Sequence, residues 1–175
     1  DWPFSWVRIN GANPAGNTQG VPVVPPNPAV LTNVVTAPVR SPGYSNAAGQ
    51  TMFAVGGIGT AVYGLFADSN GDHLHWEPIG AFGGSQNVSA IAPTFNGQTV
   101  YVGTDAGNIL QFDAPYTQSP LQLGINVPSG ASGARQVSGL IAFFPGIAFA
   151  TMKFGANGYV MSLGSFVWNS VGATL

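Results

Sequence analysis

The run Asp68-Ser69-Asn70-Gly71-Asp72-His73-Leu74-His75-Trp76-Glu77 holds the densest set of side chains able to do chemistry in this chain. Alternate residues of a strand share a face, so a strand here lines up His73, His75 and Glu77 as two imidazoles and a carboxylate, a set that suits zinc or a similar cation. The plainer alternative is a turn leading into an outer strand whose polar face meets solvent. No further ligand can be named from the sequence, and no cofactor is expected. Asp68, Asn70 and Asp72 also imitate the first half of a calcium loop, but His73 stands where the loop needs Gly and Ile79 where it needs its bidentate Glu.

Other chemistries find less to work with. Glycoside hydrolysis needs two carboxylates facing each other across a bond. The chain has six acidic residues, Asp1, Asp68, Asp72, Glu77, Asp105 and Asp113, and most fall in turns, where Asp is favoured for bonding its own backbone. There is no cysteine, hence no thiolate chemistry and no disulfide framework. No Ser-His-Asp grouping is suggested, and the glycines from Gly103 to Gly107 lack the helix start that phosphate binding requires. No catalytic residue is named, and a non-enzymatic protein is expected.

The elements that would position these residues read as strands throughout. No stretch repeats apolar residues at helical spacing, while alternating β-branched and aromatic runs recur between Gly, Pro and Asn turns, so the fold class is all-β. Residues 1–9 read as an initial strand with Trp2, Phe4 and Trp6, and 10–30 as a Pro/Gly-rich insertion or arm. Three units follow, at 31–82, 83–130 and 131–175, each built as strand, hairpin, strand, with Gly56-Gly57-Ile58-Gly59 as the turn of the first hairpin and Leu121 to Ile125 as the last strand of the second unit. Thr99 to Phe112 is the clearest hairpin, turning through Asp105-Ala106-Gly107-Asn108. Spacings support a repeat: Thr51 and Thr99 are 48 apart (99 minus 51), and Val88-Ser89 and Val137-Ser138 are 49 apart (137 minus 88). Trp6, Trp76 and Trp168 close units, with Leu123 where an intervening Trp would stand.

Charged residues make up 6% of the chain, against a usual value of about 25%. The fixed cations are Arg8, Arg40, Arg135 and Lys153, too few to neutralise a run of phosphates, and nucleic acid is not an expected partner. There is no apolar run near the length of a membrane span. A start at Asp1 without Met is expected of a mature or excised piece of a longer chain. The polar but uncharged composition points to a secreted or cell-surface protein, and Asn87-Val88-Ser89 is a candidate glycosylation sequon at Asn87.

Four antiparallel strands per repeat of about 40 to 50 residues is the sheet of a β-propeller blade. The texture of VSAIAPTFNGQTVYVGTDAGNILQFD resembles blades of the sialidase-like, Asp-box-containing and plant assembly-factor propellers. The resemblance covers roughly residues 31–171. The S-x-D-x-G-x-x-W Asp-box itself is absent, Ser69 to Trp76 having some of its residues without its spacing. The sialidase Phe-Arg-Ile-Pro segment is absent as well. The resemblance implies a partial propeller of about three four-stranded blades, a β-sandwich being the alternative. Closed propellers have about four to eight blades, so the expectation is an assembly or binding module completed by self-association or by the rest of a precursor. A fragment of a sialidase-like glycoside hydrolase and a lectin-like carbohydrate binder are the alternatives.

Overall fold

The structure, a computed structural model, describes residues 35–39, 43–67 and 75–171. The initial strand expected at 1–9, the insertion at 10–30 and the turn at 68–72 lie outside these residues.

Three antiparallel meanders follow one another. Sheet I runs β1 (Val35–Pro38), β2 (Thr51–Ile58), β3 (Ala61–Ala67) and β4 (His75–Ala81) in that spatial order. Sheet II repeats it with β5 (Val88–Pro93), β6 (Thr99–Thr104), β7 (Ile109–Asp113) and β8 (Leu121–Gln122). Sheet III is built from β9 (Gly124–Ile125), β10 (Arg135–Phe144), β11 (Ile147–Phe154), β12 (Asn157–Gly164) and β13 (Val167–Ser170), ordered β10-β11-β12-β13-β9. The first strands of the sheets are neighbours: β5 packs against β1 and β2 on one side and against β10 on the other. Three sheets stacked in sequence order, first strand beside first strand, make an arc of blades. Among the described residues no two-sheet sandwich forms.

Local chemistry accounts for the hairpins. Between β6 and β7 the chain reverses at Asp105-Ala106-Gly107, with the Gly107 N–H donating to Thr104 O at 3.0 Å. Gly107 has φ +74, and a Cβ there would lie 2.2 Å from Arg135 Cβ, so both the turn and the close approach require glycine. Pro78 is confined to β4, the outer strand of sheet I, beside a register shift between Val62 and Tyr63, where a missing N–H costs no ladder bond in a sheet interior.

Two expectations from the sequence are corrected. Gly56-Gly57-Ile58 reads as turn, yet these residues complete β2, and the reversal falls at Gly59-Thr60. Gly57 is in the strand because the next sheet leans on it: a Cβ would lie 2.7 Å from Val88 Cγ1. Leu121 to Ile125 reads as one strand and is two. β8 closes sheet II, Leu123 turns into the core, and β9 crosses to sheet III, pairing parallel with β13 through Val167↔Gly124 and Trp168↔Ile125. Sheet III therefore has five strands where four are expected.

Two apolar layers hold the arc. Between sheets I and II, Met52, Val55, Val62 and Phe66 meet Ile91, Val100, Val102 and Phe112. Between sheets II and III, Ala90, Ala92, Tyr101 and Ile109 meet Val137, Ala150, Met161 and Trp168. The Tyr101 and Trp168 rings cross edge to face, with centroids 6.3 Å apart. Burying rings of this size contributes about 4–6 kcal/mol each by area. Each junction is also keyed by a glycine. Val88 sits over Gly57, and Val137 sits over Gly103, where a Cβ would lie 2.3 Å from Val137 Cγ1.

Candidate functional site

Each sheet has a leading face, toward the preceding sheet, and a trailing face, toward the next. The trailing face of sheet II is sealed by sheet III. On sheet III the corresponding face is open, and it carries large exposed apolar side chains.

Its construction follows from strict alternation on β11. Ala148, Ala150, Met152 and Phe154 point into the core, so Ile147 and Phe149 point out. Across the ladder Phe149 pairs with Ile141, and at the hairpin end Ile147 pairs with Phe144. Ile141, Phe144 and Ile147 are all more than half exposed, at 52%, 56% and 53%, and Phe149 is 40% exposed. At the same end of the sheet, Phe95 from the β5–β6 turn crosses Phe144 at 5.7 Å and Phe143 at 5.5 Å, both edge to face. Contiguous apolar surface of this kind marks interaction sites more often than it marks chemistry.

A second, polar cluster lies where the β4–β5 connection meets the β6–β7 hairpin. The Asn87 backbone N–H donates to Asp105 Oδ1 at 2.7 Å, and its side-chain Nδ2 donates to Oδ2 at 2.9 Å. Those bonds hold the Asp105 carboxyl below the usual carboxylate range, the backbone bond contributing most. Gln86 Oε1 accepts from Thr104 Oγ1 at 3.0 Å and from Asn108 Nδ2 at 2.8 Å. The polar groups of this corner satisfy one another, as buttressing does. Asn87 itself is exposed.

Only part of the metal-ligand set lies among the described residues, and His75 and Glu77 both belong to β4. His73 lies outside the described residues, His75 opens β4, and Glu77 pairs with Gly64 while its Oε2 accepts from Asn46 Nδ2 at 3.4 Å. Among the described residues no three His, Cys, Asp or Glu side chains come together as a metal site would require. Of the arginines, Arg8 and Arg40 lie outside the described residues, and Arg135 lies over the Phe154 ring at 5.8 Å. Asp113 accepts from Thr99 Oγ1 and from Gln111 Nε2, both at 2.7 Å. Among the described residues no helix is long and apolar enough to cross a membrane.

Among the described residues two buried side-chain polar atoms have no hydrogen-bond partner, Trp168 Nε1 and Gln111 Oε1. A donor and an acceptor are thus left unpaired in the layer between sheets II and III. Tyr101 in that layer is better served, its hydroxyl accepting the Gly146 N–H at 2.9 Å, while burial pushes its pKa up.

No apolar face could be assigned from sequence, because the signal lies in register. Phe149 and Ile141 look like core residues until the pairing and their exposure show that no sheet among the described residues covers them.

The described residues form a partial β-propeller. No family model matches it, and no curated protein matches it. Among solved structures it is similar to the crystal structure of the Myceliophteria_thermophila Cps50 (Swd1) beta-propeller domain, with a TM-score of 0.44 and 14% identity over 82% of this chain and 41% of that one. The chain thus spans about two-fifths of that domain. The order and packing of the three sheets themselves are what make the arc a partial propeller.

Proposed function

We propose that this chain is a non-enzymatic, extracellular propeller-type module whose work is assembly or binding, through the open trailing face of sheet III. The observation that carries this reading is the exposed group Ile141, Phe144, Ile147 and Phe149 on a face whose counterpart in sheet II is sealed. The acidic side chains that a hydrolase would need are engaged in structural bonds where they are described, Asp105 to Asn87, Asp113 to Thr99 and Glu77 to Asn46. An extracellular setting agrees with the 6% charge content and the exposed sequon at Asn87. Kinship with sialidase-like, Asp-box propellers belongs to the same proposal.

Sedimentation velocity of the full chain across the micromolar range tests it. Association that Ile141→Lys abolishes is the expected result. A chain that stays monomeric throughout, or associates as well with Ile141→Lys as without it, counts against this use of the face. Carbohydrate binding is the second reading, favoured by the crossed rings of Phe95 and Phe144 at a loop end. A glycan array on which Phe144→Ala binds as well as the unaltered chain would remove it.

A further inference from the structure

The two ends of the arc carry the two halves of a junction that the chain already makes internally. In sheet II the cross-strand pair Ala92↔Tyr101 lies on the trailing face, 4% and 0% exposed, sealed by sheet III. In sheet III the same register position holds Ile141↔Phe149, 49 and 48 residues later (141 minus 92, 149 minus 101). The equivalence is fixed by a shared irregularity: the ladder skips one residue between Val88 and Ala90 and again between Val137 and Gly139, so Ser89 and Ser138 are the bulged residues. Phe149 stands where Tyr101 stands, without a cover.

The matching half lies on sheet I. Tyr101 is covered by Trp168, which pairs with Leu163 on the leading face of sheet III. Sheet I repeats that pair as Leu65↔Trp76. Val62 and Phe66 of β3 face sheet II, so Leu65 and its partner Trp76 fall on the leading face, away from sheet II. Leu65 is buried and Trp76 keeps part of its surface in solvent.

We infer that two copies of this chain close head to tail, Phe149 and Ile141 of each seating on Trp76 of the other. The inference rests on the proposed assembly role and names its partner. The three sheets of the described residues, taken twice, give six, within the range of about four to eight found in closed propellers. A head-to-tail contact between identical subunits either closes or runs on as a filament. Two identical junctions leave neither face open. Phenylalanine at position 149 suits the role, since it asks for no hydrogen bond where Tyr101 must find one from Gly146.

The test is a charge swap read by sedimentation and native mass spectrometry of the full chain. Phe149→Lys and Trp76→Glu are each expected to halve the mass of the unaltered dimer. An equimolar mixture of the two is expected to recover it, because one junction is then unaltered and the other sets the introduced lysine against the introduced glutamate. Circular dichroism checks that each variant folds, and Ile141→Lys replaces Phe149→Lys if that variant does not. Association that ignores Trp76→Glu, fails to recover on mixing or runs to open-ended polymers overturns the ring while leaving the assembly role standing. A monomer at every concentration overturns both.

Discussion

Sheets II and III put equivalent positions to opposite uses. Tyr101 and Ala92 are sealed in the molecule's interior; Phe149 and Ile141, at the same register, face solvent. The chemistry of the two faces differs little, so what separates core from surface here is whether another blade follows. Burial in a repeat architecture is a property of the neighbour as much as of the residue.

The sharpest way to break that comparison is to truncate both rings. Tyr101→Ala is expected to cost about 3–5 kcal/mol, as large aromatic losses in cores do. Phe149→Ala is expected to stay within about 0.5 kcal/mol for an isolated chain, since exposed changes rarely exceed that. Urea denaturation at a concentration too low for association compares them, and equal midpoints would show that the two faces are not distinct.

Next in size is the glycine key. Gly103→Val drives two methyl groups toward Val137 and is expected to cost about 1–3 kcal/mol as overpacking. The counterpart in sheet III is already Thr151, paired with Gly139. Thr151→Val there should change stability by no more than about 0.5 kcal/mol in the same denaturation assay.

The bulged serines give a smaller contrast. Ser89 Oγ donates across the junction to Val137 O at 2.6 Å, whereas Ser138 Oγ donates to Thr151 O in its own sheet at 3.1 Å, at an exposed site. Ser89→Ala is expected to cost about 1 kcal/mol. Ser138→Ala should cost less than half of that, by thermal unfolding.

The smallest effect concerns the hairpin tips. Sheet II clamps its tip with Asp105 on Asn87; sheet III turns at Gly155-Ala156, with backbone bonding from Gly155 N to Ala134 O at 2.7 Å. A depressed folded-state pKa means that the Asp105 clamp contributes fully above the ordinary carboxylate value of about 4 and is lost as pH falls below it. Exchange of the Asn87 amide proton should therefore quicken below about pH 4 relative to that of Gly155. An Asp105→Asn variant should show the quickened rate at neutral pH.

Much of the fold could be read from the sequence because its cues are local. The Asp105-Ala106-Gly107-Asn108 turn, the Val-Ser openings and the alternation of Ile147 to Phe154 each act within a few residues. What escaped were features decided by distant partners. Gly57 looks like a turn residue and is a strand residue because Val88 needs its vacancy. Leu121 to Ile125 looks like one strand and divides because two sheets compete for it. The candidate face was hidden for the same reason, since Phe149 and Tyr101 are indistinguishable by type and spacing.

That divided segment bears on how the molecule resists misassembly. A blade's outermost strand ordinarily shows a free row of N–H and C=O groups on which foreign chains can zip up. In sheet III the row beyond β13 is already occupied by β9, a strand of two residues, too short to template a long ladder. Strand-by-strand accretion is thereby discouraged at this edge. What this sheet leaves exposed is its broad side, where side-chain shape rather than backbone hydrogen bonding would select a neighbour.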